Sequence, residues 1–420
     1  MNAPLNRTWS DFAAERRTGA FRQRGTTLIE LMVALAVFLV VGGAAFNLFN
    51  RQQIATTTLQ GQVGLSLALR NTTSQLQLDL SNSGNGYFQG VNVPTWPVGV
   101  TIQNHFVAPG SSCYNSTTGD YGPNCFDQIN IITADPVLYP AVNVTDATGG
   151  TGTTNCSSTY TGSTGSPTTV YALPASGLTA AATAAKFVAG DQILFLTGNG
   201  KYMTTALLTA NASPLSSGNA ITLSIYQTKS DGSNPLAADP LDITACDGNS
   251  PCPPPPPVTT PPTPPSVNFA TNYCGGDWII KLSPIQYYVD TTTDPTNPRL
   301  MRKQNGVASI VMDQIIGFKA GAATWDSNLT SGYSTPYYNY DSSTYCIGGT
   351  GTGCTGGTPS AWNFSLIRSI RVSTIARTTP NTSAQYTFRN TFDGGPYQVQ
   401  GVAIVVNPRN LSMSDDQTLP

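Results

Sequence analysis

From Leu31 to Asn50 the chain runs for twenty residues without a charge. An apolar helix needs about 20 residues to cross a membrane. Beyond Arg51 the apolar positions become intermittent. Leu59, Val63, Leu69, Leu76 and Leu80 recur at spacings of four to seven, one face of a helix. No proline falls between residues 5 and 93. The pattern therefore predicts a single helix from about Thr27 to about Ser81, roughly 80 Å long at ~1.5 Å per residue. Ser81-Asn-Ser-Gly-Asn-Gly86 is its stop signal.

The rest of the chain reads as strands. Asp127–Thr133, Gln192–Thr197, Ala220–Gln227, Trp278–Val289, Leu300–Lys303, Ile310–Lys319, Ile367–Thr374 and Gln398–Val406 are rich in β-formers, several with alternation. Loops rich in Gly, Ser, Thr and Asn separate them, notably 145–168 and 332–360. Cys246–Ser266 is proline-rich, with Pro253–Pro257 consecutive, and reads as extended polyproline or disordered chain serving as a spacer. The fold class expected is α+β: a long N-terminal helix, its first half membrane-spanning, packed on a β-rich head with long loops.

Charge sets the orientation. Residues 1–25 hold Arg7, Arg16, Arg17, Arg22 and Arg24 against Asp11 and Glu15, a net of +3, which leaves −5 for the remainder of a chain whose net charge is −2. Basic residues ahead of the apolar run place the N-terminus in the cytoplasm and the bulk outside. An ordinary secretory signal has a shorter apolar core, about 7–15 residues, and a small-x-small cleavage site behind it. Here the helical pattern continues instead.

At the front edge of the apolar run stands Arg22-Gln-Arg-Gly25, then Thr26-Thr-Leu-Ile-Glu-Leu-Met-Val-Ala-Leu-Ala-Val-Phe38. This string resembles the signal of type IV prepilins. The resemblance implies cleavage by a prepilin peptidase after Gly25, methylation of the new terminus at Thr26, and an assembly role for Glu30, the fifth mature residue. A carboxylate at the edge of a membrane helix is costly and is usually functional. By the resemblance, Glu30 meets the methylated amine of a neighbouring subunit. The same resemblance divides the chain into a leader (1–25), a membrane-spanning and assembly half-helix (26–50), an amphipathic half-helix (51–82) and an extracytoplasmic head (83–420).

The head is more loosely similar to the PilW family of minor pilins. The cues are Leu76-Gln-Leu-Asp-Leu80 before Gly86-Tyr87, the run Val307–Lys319, Ile367-Arg-Ser-Ile-Arg-Val-Ser373, and Val402-Ala-Ile-Val-Val406 before Asn410-Leu. The related minor pseudopilin GspJ of type II secretion fits their order and spacing less well. Implied partners are the prepilin peptidase, other major and minor pilins, the inner-membrane assembly platform and membrane lipid. The implied location is the inner membrane, then a pilus or pseudopilus. A pilus-borne adhesin is a further reading of the same chain.

Composition narrows the chemistry. Only 10% of residues are charged, against about 25% in ordinary soluble proteins. A mature net charge of −5 gives no footing for nucleic acid, whose phosphates need Lys/Arg clusters. The eight cysteines all follow the apolar run, an even number in an exported chain that suggests disulfides. Cys113 with Cys125 and Cys346 with Cys354 are the first pairs to consider, since short loops meet often.

No cofactor or catalytic constellation is expected. His105 is the only histidine, and no G-x-S-x-G, P-loop or H-E-x-x-H occurs. Cys246 and Cys252 lack zinc-ligand spacing. Asp290 and Asp294, in Asp-Thr-Thr-Thr-Asp-Pro, read as an Asx-type turn ahead of a calcium site. A secreted enzyme is the remaining alternative, and it requires a catalytic centre that the sequence does not display.

Overall fold

The computed structural model describes residues 27–85, 99–104, 114–115, 120–122, 125–135, 138, 140–144, 168–196, 203–215, 219–226, 274–324, 367–381 and 386–408. The chain divides into two compact units, 1–60 and 61–420.

In the first unit the described residues form the leading part of helix α1 (Leu28–Ser81). Its apolar side chains from Leu28 to Phe49 are exposed on every side. It is the one helix among the described residues long and apolar enough to cross a membrane. The helix continues unbroken through Gly42 and Gly43.

In the second unit α1 becomes one-sided. Leu65, Leu69, Thr72, Leu76 and Leu80 are buried, a repeat of three to four residues that keeps one stripe toward a core. The sequence-predicted face is partly redrawn: Leu59 and Val63 are exposed, while Leu65 and Thr72 take the stripe. The register is set by Leu69, Leu76 and Leu80, and residues 59 and 63 point elsewhere at 100° per residue.

The strands are β1 (Val100–Gln103), β2 (Tyr114–Asn115), β3 (Asp120–Tyr121), β4 (Gln128–Ala134), β5 (Ala141–Val144), β6 (Thr168–Leu173), β7 (Gln192–Leu196), β8 (Met203–Leu208), β9 (Ser213–Pro214), β10 (Ile221–Tyr226), β11 (Trp278–Asp290), β12 (Arg299–Gln304), β13 (Val307–Met312), β14 (Ile315–Thr324), β15 (Ile367–Arg377) and β16 (Val399–Val406). A short helix, α2 (Ala180–Ala184), precedes β7 and is capped by the Thr179 hydroxyl.

These strands build around two cores. The first combines the buried stripe of α1 with β1, β4, the later part of β11, β12 and the sheet β14-β15-β16; Tyr287, Phe318, Ile370 and Val372 are among its members. The second lies within a closed ring of six strands, β11-β5-β6-β10-β8-β7 and back to β11. Phe187, Phe195, Leu223 and Ile279 fill it. Every pairing in the ring is antiparallel. Closure leaves its members without open edges. The barrel is inserted between β4 and β11, and β11 belongs to both parts. Trp278–Lys281 pair with β7, whereas Leu282–Tyr287 pair with β4.

One expected strand is two. Ile310–Lys319 divides at Asp313-Gln314 into β13 and β14, which lie in different sheets. Gln314 adopts φ 58°, a left-handed turn that no extended strand contains. Asn305 and Gly306 are both left-handed, which makes the β12–β13 connection a two-residue hairpin turn.

Three polar pins hold the first core. Asp79 accepts hydrogen bonds from Arg302 Nε at 2.7 Å and from the Tyr287 hydroxyl at 2.5 Å. Asp127 accepts from Lys319 Nζ and from the Ala320 amide, both at 2.8 Å. Asp393 accepts from the Tyr121 and Tyr397 hydroxyls and from Asn390. Arg377 lies over the rings of Tyr121 and Tyr397.

Candidate functional site

The site the sequence points to is the start of α1. Thr27 is its N-cap and Leu28 its first residue. The Thr27 amide donates to Glu30 Oε2 at 3.0 Å and the Thr27 hydroxyl to the same oxygen at 3.2 Å. In return the Glu30 amide donates to Thr27 Oγ1 at 3.3 Å. This is a reciprocal capping box: two otherwise orphan amides at the helix start are satisfied, and the carboxylate sits where the helix dipole favours a negative charge. Leu31 N to Thr27 O, at 3.2 Å, closes the first helical turn.

The geometry bears on each predicted residue differently. Glu30 is exposed and hydrogen-bonded within its own chain. Gly25 and Thr26 lie outside the described residues. Thr27 caps the helix, a structural role that Thr-x-x-Glu before an apolar run signals in the sequence. The helix begins two residues beyond the Gly25–Thr26 bond.

At the other end of α1, Asp79 fixes the helix to the head. Arg302 spans both its oxygens, with Nη2 to Oδ1 at 3.3 Å, and its Nη1 donates to Gln304 at 2.7 Å. Burial pushes the Tyr287 hydroxyl well above its ordinary range, and Asp79 beside it adds to the effect. The hydrogen bond to Asp79 raises Arg302. Asp79 lay inside the Leu76–Leu80 run that marked the minor-pilin resemblance, but its partners are more than 200 residues away.

The remaining polar candidates are structural. Asp290 accepts hydrogen bonds from the hydroxyls of Thr293 and Thr292 and from the Thr292 amide. These bonds lower its carboxyl to about 2, with Thr293 the largest contributor. Asp294 is lowered in the same way, first by Thr296. Both form Asx-type turns: Asp290 accepts at both carboxylate oxygens and Asp294 at Oδ1. Burial pushes the Asp393 carboxyl up, and bonds from Tyr397, Asn390, Gly395 and Tyr121 outweigh it, so it ends below its ordinary value.

Among the described residues no cluster of His, Cys, Asp or Glu could hold a metal ion. Cys125 and Cys274 are disulfide-bonded. His105, Cys113, Cys346 and Cys354 lie outside the described residues, as does the proline-rich stretch 246–266.

Comparison with known proteins agrees with the N-terminal geometry. Residues 20–46 match the family model of the prokaryotic N-terminal methylation motif. The chain is therefore a prepilin-like protein: a long apolar N-terminal helix with this signal, followed by a β-rich domain. The motif supports a pilin subunit, processed by a peptidase and assembled with other pilins, and points to a structural role. Among solved structures a type IV-like pilin from Thermus thermophilus is similar at 9% identity, over 53% of this chain and 89% of that one, with a TM-score of 0.16. No curated protein matches the chain.

Proposed function

We propose that the chain is a minor pilin of a type IV pilus, cleaved after Gly25 and methylated at Thr26. It is held in the inner membrane by the first half of α1 and then inserted into the filament, where it primes assembly or sits near the tip. The observation that carries the reading is the methylation motif over residues 20–46, with Glu30 placed in the first turn of an exposed apolar helix. The size of the head favours a minor over a major subunit: one core packs against α1 and a second fills a separate barrel.

Glu30 serves as the assembly residue. On a single chain its carboxylate is occupied by Thr27. A neighbour's terminal amine then competes for a group that already has partners, and out of water a charge pair of that kind favours one register over others. The PilW-like assignment rests on sequence cues alone, and a GspJ-like pseudopilin of type II secretion is the alternative machine. The inserted barrel favours a second reading, in which the head carries adhesive work of its own.

The test is to express the full chain with and without a prepilin peptidase and to measure the mature N-terminus by mass spectrometry. A peptidase-dependent product that begins at Thr26 is expected. An uncut chain leaves a single-pass anchor, and a cut inside the apolar run makes it an ordinary exported protein. Recovery as the bulk subunit of purified pili would sink the minor role.

A further inference from the structure

Strand β16 is an outer strand: among the described residues it pairs with β15 alone. Its sequence, Val399-Gln-Gly-Val-Ala-Ile-Val-Val406, contains neither charge nor proline. Natural sheets blunt a long outer strand with lysine, proline or a bulge, because its backbone groups are a template for another strand. β16 carries neither blunting residue, and its pairing with β15 runs without a register shift.

Its last residues face the final turns of α1 across an open groove of about 710 Å³. One wall carries Val405 and Asn407; the other carries Ser74, Gln77, Leu78 and Ser81, which share a helix face by their spacing. The lining has no charge. Leu78 and Val405 are 62% and 57% exposed, large apolar groups left to solvent.

We propose that this groove binds an extended, uncharged strand of a different polypeptide chain, added to the edge of β16. The complementarity is chemical. One edge of the incoming strand meets the backbone N–H and C=O groups of β16, which only another extended backbone can pair in series. The other edge meets the Ser74 hydroxyl and the Gln77 amide, each able to donate and accept, and the Ser81 oxygen, which gives its own proton to the Leu78 carbonyl and can still accept. A helix cannot do this, because its backbone groups are spent on itself. A charged strand finds no counter-ion in the groove and must lose its hydration there. Small or apolar side chains at alternate positions cover Leu78 and Val405. The hairpin strand β13 is a contrast: Val307 and Ile310 are exposed on it, but its pairing with β12 is broken by a register shift between Leu300 and Met301, the kind of irregularity that guards an edge. The assignment does not depend on which filament machine the chain serves.

The test is hydrogen–deuterium exchange on the full chain in detergent micelles. The probe is a synthetic hexapeptide of alternating valine and threonine, blocked at both ends, at about 1 mM, the weak end of specific binding. Amides of residues 399–406 are expected to slow about tenfold or more, the size of effect that pairing gives an open edge, while those of β13 stay unchanged. A hexapeptide with a central proline, or with two glutamates, should leave β16 as it was. Val405→Lys should remove the protection; because Val405 is exposed, the exchange map without peptide should otherwise match the parent chain. The proposal fails if the peptide leaves β16 unchanged, or if the proline peptide protects it equally. It also fails if the whole of β16 is slow before any peptide is added, since another part of the same chain then already covers it.

Discussion

Asp79 shows how one polar side chain fixes the end of a long helix. Its side chain and that of Arg302 are only 11% and 16% exposed, so neither charge is well hydrated alone. Removing one partner of such a pair leaves the other buried without compensation, at about 3 kcal/mol. Arg302→Met should therefore lower the denaturant midpoint strongly. Adding Asp79→Leu to it should recover part of the loss, since replacing both charges by apolar groups is often nearly neutral. Equal or greater loss in the double variant would mean that Tyr287, left without its acceptor, dominates instead. Asp290 acts at the same scale but in a turn. Its carboxyl is lowered to about 2 from an ordinary value of 3.8. A depressed carboxyl contributes stability that is fully present above its unfolded value and is lost as pH falls through the folded one. Acid unfolding between about pH 4 and pH 2 should then be less steep in Asp290→Asn than in the parent. The effect should be small because the turn is exposed.

At the scale of elements, the second half of α1 depends on its buried stripe. Leu76 is fully buried and Leu67 is 55% exposed, nine residues apart on the same helix. Leu76→Ala should cost about 2–5 kcal/mol, the usual range for a buried leucine. Leu67→Ala should stay within about 0.5 kcal/mol. Urea denaturation of the full chain in detergent, read on the head, distinguishes them. The helix itself was legible, with ends within a residue of the expected ones, because an uncharged run and a four-to-seven spacing are local properties. The stripe was read less well, since Leu59 and Val63 satisfy the same spacing and yet are exposed. The β13–β14 break was hidden for a related reason: Asp313-Gln314 carries no glycine or proline, and only sheet membership places Gln314 at a positive φ. The Asn305-Gly306 turn, by contrast, is written in the residues themselves.

Across the whole molecule, the second unit has two cores joined by one strand. Phe187 belongs to the barrel and Phe318 to the helix-backed core. Local opening tends to follow such units. Phe187→Ala should speed amide exchange in β6, β7, β8 and β10 and leave β14–β16 unchanged, whereas Phe318→Ala should do the reverse. Hydrogen exchange by mass spectrometry reads both. Uniform acceleration in either variant would mean that β11 couples the cores into one cooperative body. The barrel was not legible from sequence. β5, β6 and β8 are short, and their neighbours are polar loops, so they carry little periodicity. β7 and β8 are a local pair, but β5 and β6 pair with β11 and β10 much further along the chain, and closure of the ring is a property of no single segment.

The sequence by itself determined the N-terminal signal, the apolar helix that follows it, and a β-rich chain behind that helix. These depend on residue type and spacing along a few turns, which sequence displays directly. Tertiary structure alone decided which helix stripe is buried, that Asp79 finds Arg302 and Tyr287, that β11 serves two cores, and that β16 ends beside a groove. Each of these is a meeting between segments far apart in the chain. The energy of such a meeting depends on what lies opposite a residue, and no local pattern carries that information.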